Sequence, residues 1–392
     1  MNGQVWTDDR LDELRRTGDP VADELVARFF KDQEPQLPRH LLGRLVMHED
    51  LPEEDRSPAV DAYLGDQPPL PTWADPDRIR RGEEIFCEWG PLVGASLFCA
   101  SLPDSYAAAR GVQVLHLTAR LATDTQRRIY ETAQMVVDVM APGGLSVGAA
   151  GYREARRVRL MHAAVRHLIE HDPAVAHTCD PKARGPHWCG EWGVPVNQED
   201  LLGTLMTFTV VIFESLRRFG VHLSEDDAES YLHAWNVVGH LLGIKEELLP
   251  IDLSSAEALW AAVRRRQWAP SPEGAEMTAA LIRLLEGEMP PGLRRLPRSL
   301  VRYLVGDTVA DMVEVGPPGQ LEGALFGPAR RVMSLVALTE GHSRLARRFS
   351  ERLGRVMFEA LLVAERGGSR ASFAIPPGLA EQWGLQVRGA GP

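Results

Sequence analysis

Apolar residues along the chain recur mostly every three to four positions, and long alternating runs of β-branched residues bounded by turn signals are absent, so the pattern predicts an all-α fold. Asp19-Pro20 opens a helix to about Phe30, and a Pro-rich, charged connector with little regular structure follows from Glu34 to about Pro76. An apolar segment then runs to Leu102, read as one or two helices broken near Gly90-Pro91 and ended by Pro103. Cleaner periodicity predicts helices over 105–120, 125–140, 151–169, 198–219 and 224–242. Amphipathic helices follow at about 254–267, 273–287, 297–305, 307–313 and 328–365. Thr123 with Gln126, and Ser224 with Asp227, resemble capping boxes, while Gly220 and Gly243 stand where C′ glycines end helices.

These elements divide the chain into an N-terminal helix and connector (1–75), a helical core (76–250), C-terminal helices packed on that core (251–366) and a flexible tail rich in Gly, Pro and Ser (367–392). The longest uncharged apolar stretch in a helical context, Leu201 to Phe213, falls short of the ~18 to 20 residues that span a bilayer. It reads as a core helix, and no membrane span is expected.

Composition narrows the partners. A formal charge of −11 argues against nucleic acid, which needs a concentrated basic surface. Met1 to Asp9 shows neither a basic n-region nor an apolar h-region, and the four cysteines (Cys87, Cys99, Cys179, Cys189) are too few for a disulfide scaffold. Both observations lead us to expect a cytoplasmic protein.

Candidate chemistry concentrates on the helix around Arg156 to Ile169. At 100° per residue, Val158, His162, Val165 and Ile169 form one stripe, so His162 projects from an apolar face, with Arg159 and Arg166 about 40 to 60° to one side. Two readings fit: a haem ligand with an apolar floor and cations for two propionates, or a core histidine hydrogen-bonded to a neighbouring helix with snorkelling arginines. On the 125–140 helix, Arg128, Thr132, Met135, Val136 and Val139 build a face that is polar at one end and apolar at the other. That face suits either a pocket wall or a half-buried helix with Arg128 at its rim. Glu131 lies at its edge.

Two His-x-Cys pairs, His177/Cys179 and His187/Cys189, sit in one Pro/Gly-containing loop. They read as zinc ligands or as incidental cysteines, the usual Cys-x-x-Cys spacing being absent. No Glu-x-x-His pair, Walker loop, Gly-x-Ser-x-Gly elbow or Cys-x-x-Cys-His attachment occurs, which leaves di-iron bundles, P-loop enzymes, α/β hydrolases and c-type haem without a signal.

Arg159-x-x-His162-x-x-x-Arg166-His167, the upstream Arg128-x-x-Glu131-Thr132 and the downstream run Gly193 to Leu202 resemble the latex clearing protein (rubber oxygenase) and MpaB oxygenase family over roughly residues 75 to 250. The resemblance implies a globin-like helical bundle around a non-covalent haem b. His162 would be the proximal iron ligand, Arg159 and Arg166 the arginines of the proximal helix, and Arg128 and Thr132 residues of the distal side. It also implies dioxygen and an apolar unsaturated small molecule as reactants. Latex clearing proteins carry a lysine where this chain has Glu131, so this position holds either no side chain on iron or a carboxylate acting as proton donor or base. The alternative function is a non-catalytic helical carrier of haem or an apolar ligand. The oligomeric state is left open.

Overall fold

Thr7 starts the first helix, α1 (Asp8–Arg15), by accepting the Arg10 N–H, and α2 (Pro20–Asp32) begins on its proline as expected. The computed structural model describes residues 5–32, 57–121, 125–180, 182–183, 185–289 and 294–317, with the side chains of 119–131 and 288 outside that description. The predicted 328–365 helix, the 367–392 tail and Thr123 therefore lie outside the described residues. Two short helices escaped the sequence pattern: α1, and α3 (Pro58–Gly65) within the supposed connector. Both have fewer than three turns, too few to show a period.

Asp75 caps the central helix, α4 (Pro76–Ser96), by accepting from the Asp77 and Arg78 N–H groups. The expected break at Gly90-Pro91 does not occur. Burial of Trp89, Leu92, Val93 and Ala95 in the main core carries the helix through the proline, whose missing N–H removes only one ladder bond. The chain continues as a π-helical turn (Leu97–Ser101) into α5 (Leu102–Ala107), where Pro103 occupies a first-turn position and ends nothing. Pro76–Ala107 is long and apolar enough to cross a membrane, yet 78% of its most apolar window is buried inside the protein, which marks it as a core element.

The predicted 105–120 helix is interrupted. Ala109 N–H donates to Gln267 and Ala269 N–H to Ala107, drawing the chain out of helix before α6 (Val112–Leu121). Then follow α7 (Thr125–Met140) and α8 (Ala150–His171), both close to expectation, and a pair of two-residue parallel strands, β1 (Ala176–His177) and β2 (His187–Trp188). The predicted 198–219 helix splits into α9 (Gln198–Thr207) and α10 (Val210–Arg218). The Thr207 and Thr209 hydroxyls bond back to the Thr204 and Leu205 carbonyls there, a competition that bends helices. Ser224 caps α11 (Glu225–Leu241), and α12 (Leu253–Gln267), α13 (Pro272–Glu288), α14 (Leu296–Val305) and α15 (Asp307–Met312) complete the described chain.

The architecture is all-α. α11 lies along α4 so closely that a Cβ on Gly82 would come within 2.8 Å of the Ala234 side chain. α9, α10 and α12 flank this pair, α13 to α15 gather around α5 and the π turn, α7 and α8 form a hairpin on another side, and α2 and α3 cover α8.

Candidate active site

The α7–α8 hairpin is fastened at its turn. A Cβ on Gly151 would lie 2.3 Å from the Asp138 carbonyl oxygen, so only glycine lets the first turn of α8 approach the end of α7. Glu83 of α4 secures the same turn by accepting the Gly143 N–H at 2.9 Å, and burial raises its carboxyl above the usual range. Counting from the Asp138–Gly151 contact at 1.5 Å per residue, Arg128 lies about 15 Å along α7 and His162 about 16 Å along α8. The two motifs read from sequence thus fall at the same end of one hairpin.

On α7, Met135, Val136 and Val139 are buried in the main core, and Thr132 is exposed. The side chains of Arg128 and Glu131 lie outside the described residues. On α8 the stripe takes the expected form, with a division. Val158 packs on the main core, whereas Val165 and Ile169 join Val114 and Leu117 of α6, Val175 and Trp188 in a separate apolar cluster. His162 stands between the two clusters, half-buried, with its Nδ1 shut off from solvent.

The flanking arginines have partners in this same chain. Arg159 forks onto Asp19, Nε to Oδ2 at 2.5 Å and Nη2 to Oδ1 at 2.8 Å. Arg166, buried, donates from Nε to Asp23 at 2.6 Å and from Nη1 to the Val196 carbonyl at 2.8 Å. Val196 holds φ at +50°, a strained conformation for a β-branched residue. Both aspartates come from the entry and first turn of α2, so the two ion pairs fix how α8 is rotated and thereby where His162 points. Gly243, with φ at +92°, lets the turn after α11 pass over this fork; a Cβ there would fall 2.3 Å from Asp19 Oδ2.

The Gly193–Leu202 run is a brace. Gln198 donates to the Gly18 and Gly243 carbonyls at 3.1 and 3.0 Å, and Glu199, fully buried, receives Arg15 at 3.2 Å and Arg266 at 3.1 Å. Asn197 caps α9 by accepting the Asp200 N–H. Asp19, Asp23, Gln198 and Glu199 are thus the residues that hold α8, the entry to α2 and the start of α9 together. Sequence reading took Asp19 only as a helix start.

The paired His-x-Cys motifs do meet, His177 lying opposite Trp188 across β1 and β2, but Cys179 and Cys189 are joined in a disulfide. A disulfide offers no thiolate, so these cysteines do not form the zinc site that the spacing allowed.

The residues present fit an iron porphyrin. A half-buried imidazole set in a break of an apolar stripe supplies a nitrogen ligand beside apolar surroundings, and the aspartates satisfy the arginines on either side of it. In this arrangement Arg159 and Arg166 brace the helix.

A profile of the family described as ER-bound oxygenase mpaB/B'/rubber oxygenase, catalytic domain, matches residues 91–338. The chain belongs to this oxygenase family. The match runs past residue 250 and takes in α12 to α15. A rubber oxygenase from Streptomyces sp. (strain K30) is 29% identical over 273 residues, which cover 69% of this chain and 63% of that protein. The chain thus matches somewhat under two thirds of that relative's length. The solved structure of latex clearing protein in the closed state superposes with a TM-score of 0.69 at 24% identity, covering 95% of this chain and 96% of that one, and shows that the fold is shared.

Proposed function

We propose that the chain is a haem b-dependent oxygenase that uses dioxygen to cleave or oxidise a C=C bond of an apolar isoprenoid or lipid-like substrate. The observation that carries this reading is the placement of His162, between two apolar clusters and level with the Arg128 motif, in a chain of the rubber oxygenase family. When bound, the haem supplies an iron centre for dioxygen chemistry that amino-acid side chains lack. His162 holds the iron, while Arg159 and Arg166 keep α8 turned so that it can. Arg128 and Thr132 are the polar donors of α7 that orient dioxygen. Met135, Val136 and Val139 present the apolar wall that aligns an alkene and excludes water. Glu131 takes or gives a proton at the edge of this wall. Cleavage of the double bond places one oxygen atom on each carbon, yielding two carbonyl ends, and needs no external reductant.

The test is an absorption spectrum of the purified protein together with product analysis on a short polyisoprenoid under air. A Soret band that His162→Ala abolishes, with carbonyl products from the parent only, is the expected result. Absence of the band sinks the haem assignment, and a band without products leaves the carrier function instead.

A further inference from the structure

Among the described residues other than glycine only Val196 and Glu314 hold a positive φ, and Val196 is β-branched. At φ +50° its side chain crowds its own backbone, so the conformation persists only where neighbouring bonds dictate it. Glycine would sit there without strain.

Those bonds surround Val196 on every side. Pro195, buried, precedes it with a fixed φ. Asn197, fully buried, follows it, donating from its side chain to the Val194 carbonyl at 2.9 Å and accepting the Asp200 N–H at 2.9 Å. The Val196 carbonyl accepts from Arg166 Nη1 at 2.8 Å, and Arg166 is held in turn by Asp23 at 2.6 Å. Relaxing Val196 to a negative φ would turn its peptide away from these partners.

Two tethers place this segment beside His162. A helical side chain leans back over the turn that precedes it, so the Arg166 guanidinium and the carbonyl bound to it lie over the turn of His162 and Ala163. Val194 lines one cleft together with Ala163 and Arg166, which agrees with that placement. Two residues beyond Val196, Gln198 donates to the Gly243 carbonyl at 3.0 Å, and Gly243 abuts Arg159, whose Nε a Cβ there would approach to 2.8 Å. Arg159 and Arg166 are about 10 Å apart along α8, with His162 between them. Residues 196 to 198 therefore run along α8 beside the His162 turn.

The Val196 side chain has a matching position. Among the described residues it alone packs on both the main core and the cluster around Trp188. These are the two clusters that part at His162, Val158 belonging to one and Val165 to the other. An isopropyl group lodged between them keeps water from the junction and narrows the room in which the imidazole can turn. Glycine at this position would spare the strain and leave the junction open.

We propose that Val196 is a positioning residue for His162, its side chain closing the gap between the two apolar clusters so that the imidazole keeps one orientation. The consequence for iron rests on the oxygenase reading; the closure beside His162 does not.

The test is the rate at which diethyl pyrocarbonate acylates His162 in the full-length protein as purified, followed by peptide mass spectrometry, in the parent and in Val196→Gly, Val196→Ala and Val196→Ile. In Val196→Gly, relief of strain offsets the lost apolar contact, so the thermal midpoint stays near the parent's. His162 should nevertheless react about threefold faster or more, because the cover beside it is gone. Val196→Ala should follow the same direction, and Val196→Ile, which keeps both apolar contacts, should react at the parental rate. Where haem is bound, its transfer to an apo-globin should quicken about tenfold in Val196→Gly, the usual scale for loss of a residue that orients a metal ligand. A parental His162 rate in folded Val196→Gly and Val196→Ala overturns the proposal. So does equal acceleration at His233, half-buried on α11 with its Nε2 accepting the Asp75 N–H, because that marks a general loosening of the fold. Absence of a Soret band sinks the haem assignment and leaves the acylation result to decide the role of Val196.

Discussion

Arg159 and Asp19 join two helices that the sequence separates by 140 residues, and they do so through a two-bond fork at 2.5 and 2.8 Å beside the histidine proposed to hold iron. Asp19 is almost completely buried, and the Arg159 guanidinium is held above its ordinary pKa by Asp19 despite the opposing cost of burial. The fork locks the rotation of α8. Replacing Asp19 with Asn leaves a half-buried cation with a neutral acceptor, a loss of about 1 to 3 kcal/mol of stability. Haem should then transfer faster to an apo-globin acceptor. An unchanged transfer rate in a folded Asp19→Asn protein would separate the fork from the His162 site.

The Arg128 motif is predicted to govern rate and not cofactor content. Arg128→Gln and Thr132→Val should retain a parental haem-to-protein ratio while slowing dioxygen-dependent turnover about 100-fold, the cost of losing one preorganised donor. If either variant instead loses haem, α7 holds the cofactor and does not act on the substrates.

The stripe containing His162 was legible because helical periodicity is local: residues 158 to 169 carry their own geometry. Long-range partners were not. Nothing in the sequence near Arg159 or Arg166 shows that Asp19 and Asp23 will meet them, so a pattern of histidine flanked by arginines read equally well as cations awaiting propionates. The Gly193–Leu202 run was recognisable as a motif, yet its work as a brace among Arg15, Arg266 and the α2 entry is a property of the assembled fold. Pro91 misled for a related reason, since the propensity of one residue yields to the burial of its neighbours in a core helix. Cys179 and Cys189 are ten residues apart in a loop whose closure no periodicity describes.

That disulfide closes the loop that brings Trp188 onto Val165 and Ile169, the C-terminal half of the His162 stripe. In chain-entropy terms a loop of this size stabilises the fold by about 3 kcal/mol. A reducing agent should lower the thermal midpoint of the parent and leave the double variant Cys179→Ser, Cys189→Ser unmoved. Equal sensitivity of both proteins to the reductant would show that this bond is not the cause.

Glu131 stands where the resemblance to latex clearing proteins implies a lysine. If its carboxyl exchanges a proton with the substrate, Glu131→Gln removes one limb of the pH profile of turnover and leaves haem content intact. A profile identical in shape to the parent's, with activity retained, would make Glu131 a bystander.

A last prediction concerns stability against pH and rests on Asp104. This carboxyl is buried with Arg264 at 3.8 Å, while Arg264 is also forked onto Glu214 through two bonds of 3.2 Å, so two carboxylates share one cation. Burial pushes the Asp104 pKa up to about 7, Arg264 drawing it down and Glu214 raising it again. Because the folded value exceeds the unfolded one of 3.8, the folded state binds the extra proton between these limits. The contribution of Asp104 to stability therefore falls as pH rises from about 4 to about 7, and is level on either side. At 1.36 kcal/mol per pKa unit, the full effect is on the order of 4 kcal/mol. Asp104→Asn, neutral at every pH, should lose this slope: compared with the parent, its urea midpoint should gain more at pH 8 than at pH 4. A difference between variant and parent that is the same at both pH values would mean that Asp104 ionises like an ordinary carboxylate, and that the Arg264 cation serves it as fully as it serves Glu214.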